Sequence, residues 1–101
     1  MLNRLEVHEI LKNVSGIENI YFQPPENIKM KYPAIIYSLD DIENNRADNY
    51  IYKQEKAYQI IIIDYDPDSE LIDKISNMSK CVFVRSYVSD NLNHTIFKKY
   101  F

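Results

Sequence analysis

The sequence predicts an α+β domain in which a mostly antiparallel sheet carries two helices on one face, in the order α-β-β-β-α-β-β. Two short segments have apolar residues at helical spacing, and five others have alternating or continuous apolar runs. The strands are mostly sequential, which favours antiparallel pairing with the helices packed together on one side. With 101 residues and no internal repeat, residues 1–101 are expected to form a single domain.

The first helix is predicted over residues 2–14. Val7, Leu11 and Val14 fall on one stripe at helical spacing, while charged residues occupy the opposite side. Gly16, the only glycine of the chain, follows the last apolar position of this stripe. Glycine adopts the left-handed conformation of a helix C-terminus without steric cost, so the helix is expected to end there.

Three strands are predicted in the first two thirds of the chain. Residues 20–23 form a short strand that ends before Pro24, because proline cannot donate a ladder hydrogen bond. Residues 34–40 form the second strand, and residues 50–64 form the third and longest, whose four isoleucines are expected to be buried on both faces. The polar segment 41–49 contains neither glycine nor proline, and predicts the tip of a long hairpin or a mobile loop.

The start of a second helix is the clearest local signal. Asp66 is predicted to accept hydrogen bonds from free helix N–H groups, with Pro67 as the first helical residue. Asp68 and Glu70 then complement the positive end of the helix, which is expected to end near Ser79. The acidic run also resembles the start of a calcium loop, but it lacks the sharp-turn glycine, so helix capping is the preferred interpretation.

The last two strands are predicted over residues 80–88 and 93–101, with a turn at Asp90 and Asn91. Alternation in the first of them places Cys81, Phe83, Arg85 and Tyr87 on one side. The apolar neighbours of Cys81 predict a buried structural thiol rather than a reactive one.

The sequence lacks the residues of a catalytic or metal-binding constellation, so no enzymatic activity, cofactor or metal site is predicted. His8 and His94 are far apart in sequence and stand outside metal-ligand spacings, and His8, next to a glutamate, is expected to be solvated. One glycine cannot supply a phosphate-binding loop or a nucleophile elbow.

Charge and hydropathy exclude two further classes of protein. The formal net charge is −3 at pH 7, whereas a nucleic-acid-binding domain normally has a basic face. The longest apolar run, four isoleucines, is far shorter than the roughly 20 residues that span a bilayer. No specific nucleic acid and no membrane are therefore predicted as partners.

Nine tyrosines are an unusual feature of the chain. Tyrosine is enriched at protein interfaces because it buries a large area and keeps a polar group. Strand propensity and an isoleucine-, asparagine- and tyrosine-rich composition explain them equally well. The candidate interface tyrosines are Tyr50, Tyr52, Tyr58, Tyr87 and Tyr100.

Three segments resemble small neck-region proteins of long-tailed phages and prophages. They are YFQPPENIKMKYP (21–33), DYDPDSE (64–70) and SDNLNH (89–94). Together with the element order, they resemble the tail terminator, or tail completion, family. These motifs are turns and strand segments that carry no chemistry.

The resemblance implies a structural virion protein that forms a hexameric ring. The ring would cap the tail tube and join it to the head, so the implied partners are other copies, the tail tube protein and the head–tail connector or adaptor. It implies a location in the tail or neck of the virion, after assembly in the host cytoplasm, with DNA passing through the ring. The polar hairpin segment would lie at a subunit interface or line the lumen, through Asp41, Glu43, Asn45, Arg46, Asp48, Tyr50 and Tyr52.

Two alternatives stay open at this point. One is another neck component, such as a head-closure or minor capsid protein, which sequence cannot separate from a terminator. The other is a small module that binds one host protein and never enters particles.

Overall fold

A computed structural model of the chain describes residues 3–24, 29–47 and 50–101, with backbone alone for 43–47 and 50–55. The predicted element order is confirmed. The helices are α1 (Arg4–Ser15) and α2 (Glu70–Ser76). The strands form one sheet in the order β1-β2-β3-β5-β4, in which all neighbours are antiparallel except β1 and β2. Their bounds are β1 (Ile20–Phe22), β2 (Ala34–Ala47), β3 (Tyr50–Asp64), β4 (Cys81–Ser89) and β5 (Leu92–Tyr100).

Helix α1 begins and ends at residues suited to the two helix termini. The Asn3 side chain accepts a hydrogen bond from the Glu6 backbone N–H at 2.9 Å. At the other end Gly16 has φ 73°, and its N–H donates to the Lys12 carbonyl. The predicted left-handed glycine terminus is confirmed, and the helix ends where its apolar stripe ends.

Strands β2 and β3 form a hairpin that is longer than predicted. The segment 41–49 was expected to be the tip, but residues Asp41–Ala47 continue β2 and pair with β3 as far as Ala47 opposite Tyr50. A register shift between Leu39 and Asp41 lets the strand continue through the polar segment, because a bulge absorbs one unpaired residue. Residues 48–49 lie outside the described part.

Helix α2 begins three residues later than predicted. The Asp66 side chain accepts a hydrogen bond from the Asp68 N–H at 2.9 Å, so it stabilises a turn that also contains Pro67. The helix N-terminus is capped instead by Ser69, whose hydroxyl accepts from the Leu71 N–H at 3.3 Å. The helix ends at Ser76, three residues before the predicted end.

The β4–β5 hairpin has the predicted turn but a different side-chain pattern. Asp90 and Asn91 both have positive φ, 52° and 63°, which is typical of a type I′ turn. A register shift between Phe83 and Arg85 makes Val84 an extra residue. The predicted alternation is therefore wrong beyond Phe83, because the bulge moves Arg85 to the opposite face.

Both helices pack on one face of the sheet, as predicted. The core joins Val7 and Leu11 of α1 and Leu71 and Ile75 of α2 to one set of strand residues. Three of the four isoleucines of β3 are buried, and Ile61 is half-buried. The core residues of the sheet are Ile20, Ile35, Tyr37, Tyr58, Ile60, Ile62 and Phe97.

Candidate subunit interface

The outer edge of strand β4 is open. In the described part of the chain, its nine residues pair with β5 on one side and with no strand on the other. Every β4 residue after Cys81 is exposed. An edge strand presents backbone N–H and C=O groups that a further strand can pair with. β4 can therefore act as a pairing surface for another chain.

The exposed side chains of β4 are largely apolar. Nine large apolar side chains are exposed in the described part of the chain, and five of them lie on this one strand. Monomeric proteins usually protect a long edge with charges, proline, a bulge or a covering segment. Strand β4 has one charge, Arg85, and one bulge, at Val84, but its five exposed apolar side chains still favour association. The five are Val82, Phe83, Val84, Tyr87 and Val88.

Helix α2 lies beside β4 but leaves most of the strand's side chains exposed. The helix has seven residues, and its buried side chains Leu71 and Ile75 belong to the core. Between α2 and the hairpin lies a groove of about 460 Å³. Its lining includes Ile72, Phe83 and Val88. The apolar edge therefore continues onto the helix side of the sheet.

A second open edge lies on β2, at the other side of the sheet. Strand β1 pairs with β2 through Ile35–Tyr37, so in the described chain residues 38–47 pair with β3 alone. Leu39 and Ile42 on this stretch are 44% and 41% exposed. Together, β4 and the free part of β2 carry seven of the nine exposed large apolar side chains of the described residues.

The residues predicted to form the interface or lumen segment lie along the β2–β3 hairpin. Asp41 is exposed, and its side chain accepts a hydrogen bond from the Ile42 N–H at 2.8 Å. The backbone of Glu43, Asn45 and Arg46 belongs to β2, and that of Tyr50 and Tyr52 to β3. The side chains of these five, and the whole of Asp48, lie outside the described residues.

The described candidate tyrosines have different surroundings. Tyr58 is 3% exposed and belongs to the core, so the expectation that it supplies an interface contact is wrong. Tyr87 is 42% exposed on the edge strand and stacks on His94, with ring centroids 4.7 Å apart. Tyr100 is half-buried, and the Lys98 ammonium lies 5.4 Å from its ring centroid.

The face opposite the helices carries an ion pair that connects β5 to β2 across β3. Lys98 Nζ lies 3.5 Å from Asp40 Oδ2, and both side chains are about one third exposed. Hydrogen bonding to Tyr100 raises the pKa of Lys98, and Asp40 contributes in the same direction. An exposed pair of this kind contributes little to stability.

Cys81 and Lys99 lie directly opposite each other on β4 and β5. Burial raises the pKa of the Cys81 thiol, although Cys81 is half-buried rather than buried as predicted. Lys99 is 6% exposed, and burial lowers its pKa. Its ammonium donates to the Tyr100 carbonyl at 2.7 Å and lies 4.6 Å from the Phe101 ring centroid.

His8 is partnered, contrary to the prediction that it is solvated. Its Nδ1 lies 2.9 Å from the hydroxyl of Tyr37, which is 1% exposed. Burial raises the pKa of Tyr37. Because a buried hydroxyl needs a hydrogen-bond partner, this contact explains how a tyrosine can occupy the centre of the core.

Among the described residues, no group of three or more His, Cys, Asp or Glu side chains could hold a metal ion. None of the described helices is long and apolar enough to cross a membrane.

The main feature that sequence reasoning missed is the exposure of β4. The run Val82-Phe83-Val84 was interpreted as the surroundings of a buried thiol, but all three side chains are more than half exposed. A signal was present, since three consecutive apolar residues in a strand put apolar groups on both faces. That pattern suits a strand buried on both faces and also an edge that pairs with another chain.

No protein family matches this chain, and no curated protein shows significant similarity to it.

Proposed function

We propose that this chain is a structural subunit of a phage or prophage particle, of the tail terminator kind. It assembles with copies of itself into a ring that ends the tail tube and joins it to the head connector. The resemblance of segments 21–33, 64–70 and 89–94 to neck-region proteins supports this assignment.

The observation that carries the proposal is the open, apolar edge of β4. In the described part of the chain the nine residues of β4 have no partner strand on their outer side, and five of their side chains are apolar and exposed. Such an edge promotes aggregation of a protein that works as a monomer. In a ring the same edge is covered by the neighbouring subunit. Assembly therefore accounts for a feature that a monomeric function leaves unexplained.

The length of the β2–β3 hairpin also supports assembly. Strand β5 last pairs with β3 at Ala57, so the hairpin continues from that point to Ala47 opposite Tyr50 as a two-stranded ribbon. A two-stranded ribbon is marginally stable by itself in water. A neighbouring subunit, the tube or the connector would stabilise it.

Ring closure explains how such a subunit ends polymerisation. A head-to-tail interface generates a closed ring when the rotation per subunit divides the circle, and a closed ring has no free edge for further copies. Its two rims then face different partners, the tube on one side and the connector on the other.

The test is the mass of the purified chain by light scattering over a concentration series, followed by electron microscopy with tail tubes. The tubes are assembled from the tube protein of the phage or prophage that encodes the chain. A hexamer mass, or rings at tube ends, is the expected result. Rings that bind the portal or its adaptor and ignore tubes would indicate another neck component. A stable monomer absent from particles would overturn the proposal and favour a host-binding module.

A further inference from the structure

The two open edges lie on opposite sides of one sheet, and we propose that they pair with each other between copies. The β4 edge of one subunit adds, antiparallel, to residues 38–47 of strand β2 in the next, so that the sheet continues from copy to copy. This inference rests on the proposed function to the extent that copies associate, and it names the surfaces that join them.

Strand directions fit this pairing. From β2 through β3 and β5 to β4, every neighbouring pair is antiparallel, so β2 and β4 run in opposite directions. Neighbouring copies in a ring differ by a modest rotation that does not reverse the strand direction. A second copy placed beside β4 therefore presents β2 antiparallel to it, and the alternation continues without interruption.

The alternative, β4 pairing with β4 of a second copy, is disfavoured by charge. A symmetric antiparallel pair that uses all nine residues puts Arg85, the middle residue, opposite its own copy. Like charges directly opposite destabilise a strand pair.

Net charge favours the head-to-tail arrangement. Strand β4 contains one basic residue, Arg85, and no acidic residue, whereas residues 38–47 contain three acidic residues and one basic residue. The two edges thus carry formal charges of +1 and −2 at pH 7. Complementary charge steers partners together and disfavours the like-with-like arrangement.

The apolar residues of the two edges meet on one face. Residues directly opposite in a ladder share a face of the sheet, so the pairing assigns Phe83 and Val88 to the helix side. Leu39 and Ile42 lie on the same side, opposite Tyr58 and Lys56. Aligning the edges over their full lengths brings Val88 opposite Leu39 of the neighbour.

Strand β1 sets the offset between copies. Across the sheet, the middle of β4 lies at the same height along the strands as Ile36 of β2. Arg85 is opposite Ile96 of β5, which is opposite Ile61 of β3. Ile61 is in turn opposite Ile36. That part of β2 is already paired with β1, so the neighbour must shift by about six residues, or about 20 Å along the strands. One subunit spans four strand spacings, or about 19 Å, which gives a tilt of about 45°. Strands in closed barrels tilt by about 35–45°, so the offset is compatible with ring closure.

The experiment is disulfide cross-linking in the full chain with Cys81→Ser as background. The test variant adds Val88→Cys and Leu39→Cys, and is oxidised with diamide in the presence of tail tubes. Within one chain the two positions are three strand spacings apart across the sheet and six residues apart along it, or about 25 Å in all, which is too far for a disulfide. Non-reducing electrophoresis should show a ladder of trimers and larger products.

Two controls make the result specific. Arg85→Cys alone should stay monomeric on the gel, and a dimer would overturn the proposal in favour of symmetric β4 pairing, which places residue 85 opposite its own copy. Val88→Cys with Leu5→Cys, another exposed position, should give no ladder. Rings at tube ends without a ladder from the test variant would overturn this pairing and leave the proposed function intact. A chain that stays monomeric with tubes present would overturn both.

Discussion

Phe83 and Phe97 lie directly opposite each other on β4 and β5, with ring centroids 5.9 Å apart, but Phe97 is 2% exposed and Phe83 is 56% exposed. The boundary of the helix-covered core runs between these two rings. Phe97 belongs to the core cluster that also contains residues of both helices, whereas Phe83 lines the open groove beside helix α2. Because burying a phenylalanine contributes about 1.5–3 kcal/mol, this boundary is where a partner gains the most.

Val88→Lys is expected to prevent ring formation while the monomer stays folded. Val88 is 68% exposed, so the substitution should change the free energy of unfolding by less than about 0.5 kcal/mol. A lysine on an edge strand opposes the addition of another strand. Light scattering and microscopy with tail tubes measure the effect.

Leu5→Lys is the matched control, because Leu5 is also 68% exposed but lies on α1 and on neither of the two edge strands. It should leave assembly unchanged. Equal loss of assembly in both variants would show that surface charge, rather than the β4 edge, controls association.

Ser69→Ala is expected to lower the free energy of unfolding by about 1 kcal/mol, the usual contribution of a helix N-cap. The Ser69 hydroxyl accepts the Leu71 N–H, and the residue is 6% exposed. Asp66→Ala removes a turn hydrogen bond outside the helix and should cost less. Urea denaturation of both variants measures the two losses of unfolding free energy. A larger loss for Asp66→Ala would show that Asp66, as predicted from the sequence, is the helix N-cap.

The natural chain is expected to gain stability as the pH rises into the alkaline range, and the Lys99→Met variant is expected to lack this gain. Burial lowers the pKa of Lys99 in the folded chain, so between that pKa and the unfolded value of about 10.5 the unfolded chain binds more protons. The stability of the natural chain relative to the methionine variant should therefore rise with pH in that window. Urea midpoints from neutral to alkaline pH measure it.

For Lys98→Met we expect the opposite pH dependence: the stability of the natural chain relative to this variant should fall as pH rises. Hydrogen bonding to Tyr100 raises the pKa of Lys98, so its contribution is present below the unfolded pKa and is lost as pH rises through the folded pKa. Equal slopes for the two variants would contradict the assignment of Lys99 as the buried amine.

Tyr37→Phe is expected to destabilise the chain by about 1 kcal/mol, because it removes the hydroxyl that contacts His8 Nδ1 in the core. Tyr65→Phe is the control, since Tyr65 is 65% exposed and its change should stay within about 0.5 kcal/mol. Thermal or urea unfolding measures both. A neutral result for Tyr37→Phe would mean that the His8 contact contributes nothing to stability.

The sequence by itself determined the element order, the end of α1 at Gly16, the bounds of β3 and the turn at Asp90 and Asn91. These features depend on local chemistry: apolar periodicity, a residue that tolerates positive φ, and turn residues. They need no knowledge of distant neighbours.

The candidate interface was decided by tertiary structure. Which strand lies at the edge depends on sheet order, and α2 leaves Phe83 and Val88 uncovered because it is only seven residues long. The bulges at Val84 and next to Asp41 shift side chains between faces without a signature in the local pattern. The sequence shows that the β4 residues are apolar, but only the packing of the whole chain shows that its own helices leave them exposed.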